Sequence, residues 1–174
     1  MSSSHTCRRR KPLDREGGDR ANGTESSNSR CEEEELLPIS VTSAASHHLW
    51  PLTLFHPSHV LFDSEFYWNA GAFAPASILL ELSNSPVYVT RISLVPVMLP
   101  AMGKVRHEIR LGLDPQTLRN ACWYNGVCVD GGWIHIQLEE NGELRRRSRY
   151  LEVMTHESPS WVAWRRIKVW KAIV

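Results

Sequence analysis

The stretch SPSWVAWRRIKVW, residues 158–170, places three tryptophans and three basic side chains within thirteen positions. Aromatic residues interleaved with Arg and Lys are typical of a groove for single-stranded nucleic acid, and also of a sheet strand with a charged outer face. Ile167 and Val169 alternate with polar and aromatic residues, which favours the strand. We therefore interpret the stretch as a closing strand, with Trp164 largely buried and Trp161 near a loop. Its outer row is Arg166, Lys168 and Trp170.

Alternation of apolar and polar residues continues upstream and predicts an all-β domain. The predicted strands are 78–82, 87–95, 107–113, 134–138, 150–154 and 164–170. Pro, Gly and Asn residues separate them, and roughly seven or eight short strands with such turns are typical of an antiparallel β-sandwich or jelly roll. The fold class that we predict is this antiparallel sandwich with a disordered N-terminal tail.

The dipeptide Asn125-Gly126 predicts a β-hairpin turn, since Asn-Gly favours two-residue hairpin loops. In that hairpin Trp123 pairs with Cys128, and Cys122 points to the opposite side of the sheet from Cys128. The four cysteines, at positions 7, 31, 122 and 128, also lack the spacing of a zinc site. We therefore expect reduced thiols.

Composition divides the chain into a tail, residues 1–37, and a domain, residues 38–174. The first 35 residues are rich in Ser, Arg, Glu, Gly and Asn, and every Trp, Tyr and Phe follows residue 36. Such a segment buries too little apolar surface to offset its ordering entropy. Its basic residues are matched by acids, four of them at 32–35, which argues against a nucleic-acid-binding arm.

Location and catalysis are predicted from motifs that are missing. The first residues contain no apolar segment typical of a signal peptide, and prolines interrupt the most apolar run, so we expect a cytoplasmic or nuclear protein without a transmembrane segment. The basic run at 8–11 leaves nuclear import open. No phosphate-binding loop, HExxH, GxSxG or convincing carboxylate pair is present, so we expect no enzyme.

Read in order, several segments carry a family resemblance. They are Ala45-Ser46, PSHVLFD at 57–63, FYW at 66–68, LEL at 80–82, VTRI at 89–92, SRYLEV at 148–153 and AWRRIKVW at 163–170. Together they resemble the discoidin, or coagulation factor V/VIII type C, family of galactose-binding-like jelly rolls, over residues 41–171. The resemblance implies a non-catalytic recognition domain, but a fold does not fix its ligand.

The chain departs from this family at two places. Ser64 replaces the glycine that follows the motif aspartate, which argues against Asp63 as the calcium ligand that some relatives have, and favours a turn cap. We therefore expect no cofactor. Val41 and Val174 stand where extracellular relatives close the domain with a disulfide, which fits the intracellular branch.

The resemblance also implies where binding occurs, at loops on one end of the barrel. The first loop, 47–56, is more apolar than a solvated loop needs, and an exposed apolar patch usually marks a binding site. The alternative is that this loop folds back and plugs the barrel end; its histidines could also hold a metal, although loop histidines are usually solvated. The candidate ligand- or partner-binding residues are His47, His48, Leu49, Trp50, Asn69, Arg106 and Trp161.

A basic run precedes one of the last predicted strands: Arg145, Arg146, Arg147 and Arg149. It is either a solvated turn or a surface for an acidic partner, a nucleic acid or an anionic lipid. Our first hypothesis is a non-catalytic, protein-binding adaptor or complex subunit that uses the loop end. The alternatives are a carbohydrate or anionic-lipid binding module using the same loops, and a nucleic-acid binder using the basic C-terminal strands.

Overall fold

The computed structural model describes residues 3–6, 33–45, 52–138 and 147–173 of the chain. The strands in these ranges are β1 (Ser3–Thr6), β2 (Glu34–Leu37), β3 (Ile39–Ala44), β4 (Trp68–Asn69), β5 (Ala76–Leu82), β6 (Val89–Pro96), β7 (Met102–Gly112), β8 (Arg119–Val129), β9 (Ile134–Gln137), β10 (Tyr150–Glu157) and β11 (Ala163–Ala172). A short α-helix, α1 (Leu52–Phe55), and a 3-10 helix, η1 (Pro57–Leu61), lie between β3 and β4. No helix in the described residues has the length and hydropathy needed to cross a membrane.

The strands form two sheets that pack as a β-sandwich. The first sheet has the order β1-β9-β6-β11-β2, and β4 also pairs with β11; the second has the order β3-β5-β10-β7-β8. All strand pairs are antiparallel except β1 with β9, which is parallel. The predicted antiparallel sandwich is confirmed, and each of the six strands predicted from alternation lies on β5, β6, β7, β9, β10 or β11.

Alternate side chains of both sheets fill the space between them. On β5, the buried residues alternate with partly exposed ones along the whole strand. Burying one such large aliphatic side chain contributes about 1.5–3 kcal/mol, so the shared core is the main source of stability. Its largest fully buried members include Trp68, Trp164, Ile78, Leu80, Ile92, Leu94, Ile109 and Leu151.

The closing strand β11 has the predicted orientation. Ile167 and Val169 are buried, and Trp164 is only 2% exposed, as expected from the sequence. Arg166 lies on the outer face but is buried as well, and its guanidinium forms an ion pair with the exposed Asp63 carboxylate. The tryptophans and arginines of this stretch therefore mainly build the sandwich.

The hairpin predicted at Asn125-Gly126 is wrong. Both residues lie within the continuous strand β8, opposite Arg106 and Val105 of β7. The eleven residues of β7 offer a full-length partner, and a straight β8 buries Tyr124 in the core. Gly126 fits this strand because a Cβ there would lie only 2.8 Å from the Tyr124 hydroxyl.

The cysteine geometry predicted from that hairpin changes too. Cys122 and Cys128 are both buried in the core cluster, on the same side of β8 and not on opposite sides. Both cysteines are reduced, as expected. The Cys128 thiol lies 3.7 Å from the Tyr124 hydroxyl, and burial raises the pKa of Cys128 to about 11. Its thiol is therefore protonated at neutral pH and a poor nucleophile.

The first sheet begins before residue 38, where the predicted domain starts. Strand β2 pairs with β11, with Leu37 buried, and β1 lies within the segment predicted as disordered. Part of the acidic run interpreted as tail has partners in the sheet: Glu34 bonds Arg91 at 2.8 Å, and Glu35 bonds Lys171 at 3.0 Å. Residues 7–32 of the predicted tail lie outside the described residues.

Candidate functional site

One end of the sandwich is formed by four connecting segments, 70–75, 97–101, 130–133 and 158–162, which we call the loop end. Hydrogen bonds join these segments to one another. The Val162 amide donates to the Ala72 carbonyl at 3.1 Å, and the Met98 amide donates to an Asp130 carboxylate oxygen at 2.8 Å. The loop end is therefore held by its own backbone, which pre-organises whatever surface it presents.

Three apolar side chains are exposed on this end and form what we call the loop-end patch: Phe73, Leu99 and Trp161. Their exposed fractions are 62%, 85% and 43%. The Phe73 and Trp161 rings lie 6.3 Å apart at an angle of 56°. Leu99 is tied to the same loops because its amide donates to the Ser160 hydroxyl at 3.1 Å. Exposed apolar patches of this kind mark binding surfaces.

A second group of exposed apolar residues surrounds η1. Leu54, Phe62 and Phe66 are each more than half exposed, and the Phe66 ring lies 5.2 Å from that of His59. The Nδ1 atom of His56 accepts a hydrogen bond from the Ser58 amide and so caps η1. This histidine thus has a structural task in the turn.

The structure describes three of the seven predicted binding residues. Trp161 is exposed at the loop end, where the sequence predicts it. Asn69 is buried, and its side-chain oxygen accepts the Gly71 amide at 2.8 Å, which holds a turn in which Gly71 has a φ of 66°. This oxygen therefore shapes the loop and is not presented to a ligand. Four predicted residues, His47, His48, Leu49 and Trp50, lie outside the described residues.

The sequence predicts Arg106 among the binding residues at the loop end, and the structure places it elsewhere. It lies within β7 on the outer face of the second sheet. Its guanidinium stacks 4.4 Å from the centre of the Trp123 ring and lies 3.5 Å from the Glu157 carboxylate. The reason is that β7 begins at Met102, so the turn is shorter than the sequence indicates.

Sequence reasoning missed a polar network on this outer face, centred on Glu108. The Glu108 carboxylate accepts hydrogen bonds from Arg110 at 2.7 Å and from Asn120 at 3.1 Å, and lies 2.8 Å from Nε2 of His156. Arg110 also reaches Glu152 at 3.3 Å. The signal that could have found it is the alternation of charged residues along β7 and β10. The hairpin interpretation of β8 gave these strands no neighbour to pair with.

The Glu108 carboxylate stays ionised in this network although it is largely buried. Burial raises its pKa, but hydrogen bonds from Arg110, His156 and Asn120 outweigh this effect and lower the pKa to about 2. Arg110, Asn120 and His156 surround this carboxylate, so the network stabilises the outer face of the second sheet.

His107 lies on the opposite face of β7, inside the core. Its ring stacks on Tyr124 with centroids 5.9 Å apart, meets Trp164 edge-on at 4.8 Å, and bonds the Thr155 hydroxyl at 3.1 Å. Burial, with a smaller effect of His156, lowers the pKa of His107 to about 3. This histidine is therefore neutral at physiological pH and belongs to the core.

The doubtful calcium ligand, Asp63, forms an ion pair with Arg166. Among the described residues there is no group of three His, Cys, Asp or Glu side chains that could hold a metal ion. The arginine neutralises the carboxylate that a cation would need. Asp63 thus joins η1 to the closing strand β11.

The described part of the basic run lies at the opposite end from the loop-end patch. Arg149 donates to Glu81 at 2.8 Å and 3.0 Å, and the Arg147 guanidinium lies 5.5 Å from the Tyr88 ring centre. The carboxylate of Glu81 reduces the net charge of this surface. Arg145 and Arg146 lie outside the described residues.

No protein-family model matches the sequence, and no curated protein matches it. Solved structures do match the fold. One is CBM32-5 of the GH89 protein from Clostridium perfringens in complex with GalNAc-β-1,3-galactose, with a TM-score of 0.63 and 16% identity over 78% of this chain and 99% of that one. Another is the family 32 CBM of C. perfringens NanJ in complex with galactose, with a TM-score of 0.62 and 11% identity over 80% and 100% of the chains.

A third solved structure is chitosan-binding module 1 of a chitosanase/glucanase from Paenibacillus sp. IK-5. It has a TM-score of 0.53 and 19% identity over 75% of this chain and 92% of that one. At these identities the likeness concerns the fold, and it agrees with the order of sequence segments and with the two antiparallel sheets. The chain therefore has the discoidin-like, galactose-binding-like β-sandwich fold.

Proposed function

We propose that the chain is a non-catalytic carbohydrate-binding module that uses the loop-end patch as its platform. The observation that carries the proposal is the exposed pair of Phe73 and Trp161 on hydrogen-bonded loops. Two solved structures of the same fold are complexes with galactose or a GalNAc-galactose disaccharide, which supports this class of ligand.

The chemistry of the patch suits a sugar. A pyranose ring has an apolar C–H face that packs on an aromatic ring, and hydroxyl groups at its edge that need hydrogen-bonding partners. Trp161 and Phe73 supply apolar faces, and the partly exposed Ser158 lies in the same segment as Trp161 and carries a hydroxyl. Because the loops are tied by backbone hydrogen bonds, a ligand would pay little to order them.

The protein-binding adaptor favoured by the sequence gains no comparable support from the solved structures. The basic run gains little as a nucleic-acid surface, because Arg149 is paired with Glu81. An anionic-lipid ligand stays a second outcome for the test, since exposed apolar residues also occur on membrane-binding loops. The cytoplasmic or nuclear location stays a prediction, to be checked by imaging the tagged chain.

The test is binding of the full chain to a glycan array, followed by titration with galactose- and GalNAc-terminated glycans. Truncating a central binding aromatic costs about 2 kcal/mol, so we expect Trp161→Ala to weaken binding about 30-fold. Phe73→Ala should weaken it as well. Leu113→Ala is the matched control. Leu113 is 60% exposed, nearly as much as Phe73, but it lies beyond the other end of β7, away from the loop end.

Two results would contradict the proposal. One is a folded chain that binds no glycan at millimolar concentration; the other is a Trp161→Ala variant that binds as tightly as the wild type. Flotation with neutral and anionic liposomes runs in parallel. Binding to anionic liposomes without glycan binding would favour the lipid alternative and reject the carbohydrate one.

A further inference from the structure

Strand β8 forms one edge of the second sheet. Among the described residues its only partner strand is β7, so no strand of the described part pairs with its other side. Such an edge is a ready template for pairing with another strand, and natural proteins usually protect it with charged residues, prolines or bulges.

The β8 edge has little of this protection. Residues 120–129, NACWYNGVCV, contain no charged residue and no proline, and the register shift near Ala121 is confined to the start of the strand. Val127 and Val129 are each about half exposed on the outer face, and Met102, opposite Val129, is exposed as well. An uncharged, apolar edge of this length is costly to leave in water.

We propose that β8 pairs antiparallel with β8 of a second copy of this chain, with the two-fold axis at Asn125. Residues that oppose each other across an antiparallel pair point to the same face. Centring on Asn125 sets Trp123 opposite Val127 of the second copy, and both side chains are on the outer face. Aromatic residues opposite β-branched residues are among the favourable cross-strand pairs.

The charges at the two ends of β8 favour a second copy in this orientation. Arg119 begins the strand and Asp130 follows it, with only uncharged residues between them. With the axis at Asn125, Arg119 of each copy lies opposite Gly131 of the other copy, one residue from Asp130, whereas a parallel pair would align like charges. A charged peptide would find no complementary group along the uncharged middle of the strand.

Trp123 is already held in place, which favours it as an anchor. The Arg106 guanidinium stacks on its ring at 4.4 Å, and the His156 ring lies 5.0 Å away. An aromatic side chain fixed before association loses little conformational entropy in the interface. Because β8 runs toward the loop end, antiparallel pairing places the loop ends of the two copies at opposite ends of the dimer.

The first test is the oligomeric state of the full chain by sedimentation velocity over a wide range of concentrations. We expect a reversible dimer. Val127→Lys adds the charge that protected edges carry and removes both symmetric contacts with Trp123, so the dimer Kd should rise about tenfold or more. Leu113→Lys, at an equally exposed apolar position away from β8, is the matched control and should leave the Kd unchanged.

The second test reads the register directly and does not depend on the folding of the lysine variant. Asn125→Cys, in a chain with Cys7→Ser and Cys31→Ser, should form a disulfide-linked dimer under mild oxidation, because residues opposite each other on antiparallel strands have suitable Cα distances. The parent double variant gives the baseline, and Glu65→Cys, at an exposed position elsewhere, should not cross-link above it.

Three outcomes would overturn the proposal. A chain that is monomeric at every concentration rejects it, and so does a dimer that Val127→Lys leaves intact while Asn125→Cys fails to cross-link. A monomer that instead adds an extended peptide along β8 would assign this edge to a different partner.

Discussion

Replacing Glu108 with Gln removes the charge at the centre of the network on the outer face of the second sheet. The carboxylate accepts from Arg110 at 2.7 Å and from Asn120 at 3.1 Å, and contacts His156 at 2.8 Å. Gln keeps the shape and one acceptor oxygen, but it turns an N–H group toward donors that need an acceptor. Glu152 still contacts Arg110 in the variant, so that guanidinium keeps one carboxylate partner.

The magnitude follows from the pKa of Glu108. A fall from 4.5 to about 2 corresponds to about 3 kcal/mol of stabilisation of the charged form by folding. We therefore expect Glu108→Gln to lower the free energy of unfolding by about 2–3 kcal/mol at neutral pH. Because the folded-state pKa lies below the unfolded value, this contribution is complete above about pH 5 and is lost as the pH falls from 4.5 toward 2.

The assay is urea unfolding of the wild type and the variant at a series of pH values from 7 to 3, with the m-values compared. The difference between the two proteins should shrink as the pH falls. Glu157→Gln is the matched control, since Glu157 is 65% exposed and lies 3.5 Å from Arg106, and an exposed pair contributes less than about 1 kcal/mol. A Glu108→Gln variant as stable as the wild type at pH 7, or a difference that is the same at every pH, would refute the reasoning.

Three further predictions concern the core and the loops. Gly126→Ala should destabilise the protein by about 1–3 kcal/mol in urea unfolding, because the new Cβ would lie 2.8 Å from the Tyr124 hydroxyl; unchanged stability would mean that this ring moves freely. His107→Gln should flatten the pH dependence of the free energy of unfolding between about pH 6.5 and 3. His107 has a folded-state pKa of about 3, so as the pH falls this histidine is protonated in the unfolded chain before it is protonated in the folded one, and the wild type loses stability. Parallel wild-type and variant curves would contradict this. Asp63→Asn should change stability by less than about 1 kcal/mol, and millimolar calcium should leave the melting temperature of both proteins unchanged; a calcium-dependent rise in the wild type alone would restore Asp63 as a metal ligand.

Local alternation was enough to predict most of the strands, for a physical reason. A strand buried on one face must alternate apolar and polar residues, and β5, β10 and β11 do so along most of their length. The inward orientation of Ile167 and Val169 could therefore be predicted from their spacing alone. The strand β8 could not, because Asn125-Gly126 has the local preference of a hairpin turn and only the long partner strand β7 overrides it.

The candidate site was predictable only in part. Trp161 could be assigned to a loop because a proline and two serines precede it. Its pairing with Phe73 depends on a distant segment, 70–75, that sequence spacing does not connect to it. Asn69 and Arg106 are residue types that bind ligands, but burial and strand position give them other contacts.

The sequence by itself determined the class of fold, since alternation and turn residues are local properties, and the ordered motifs indicated the galactose-binding-like sandwich. The tertiary structure decided which side chains meet. In the folded protein Glu108 lies among the partners that keep it ionised. Glu34 and Glu35 form ion pairs with Arg91 and Lys171, and β8 lies at the edge of its sheet. These contacts join residues that are far apart in sequence, and only the packing of two sheets brings them within hydrogen-bonding distance.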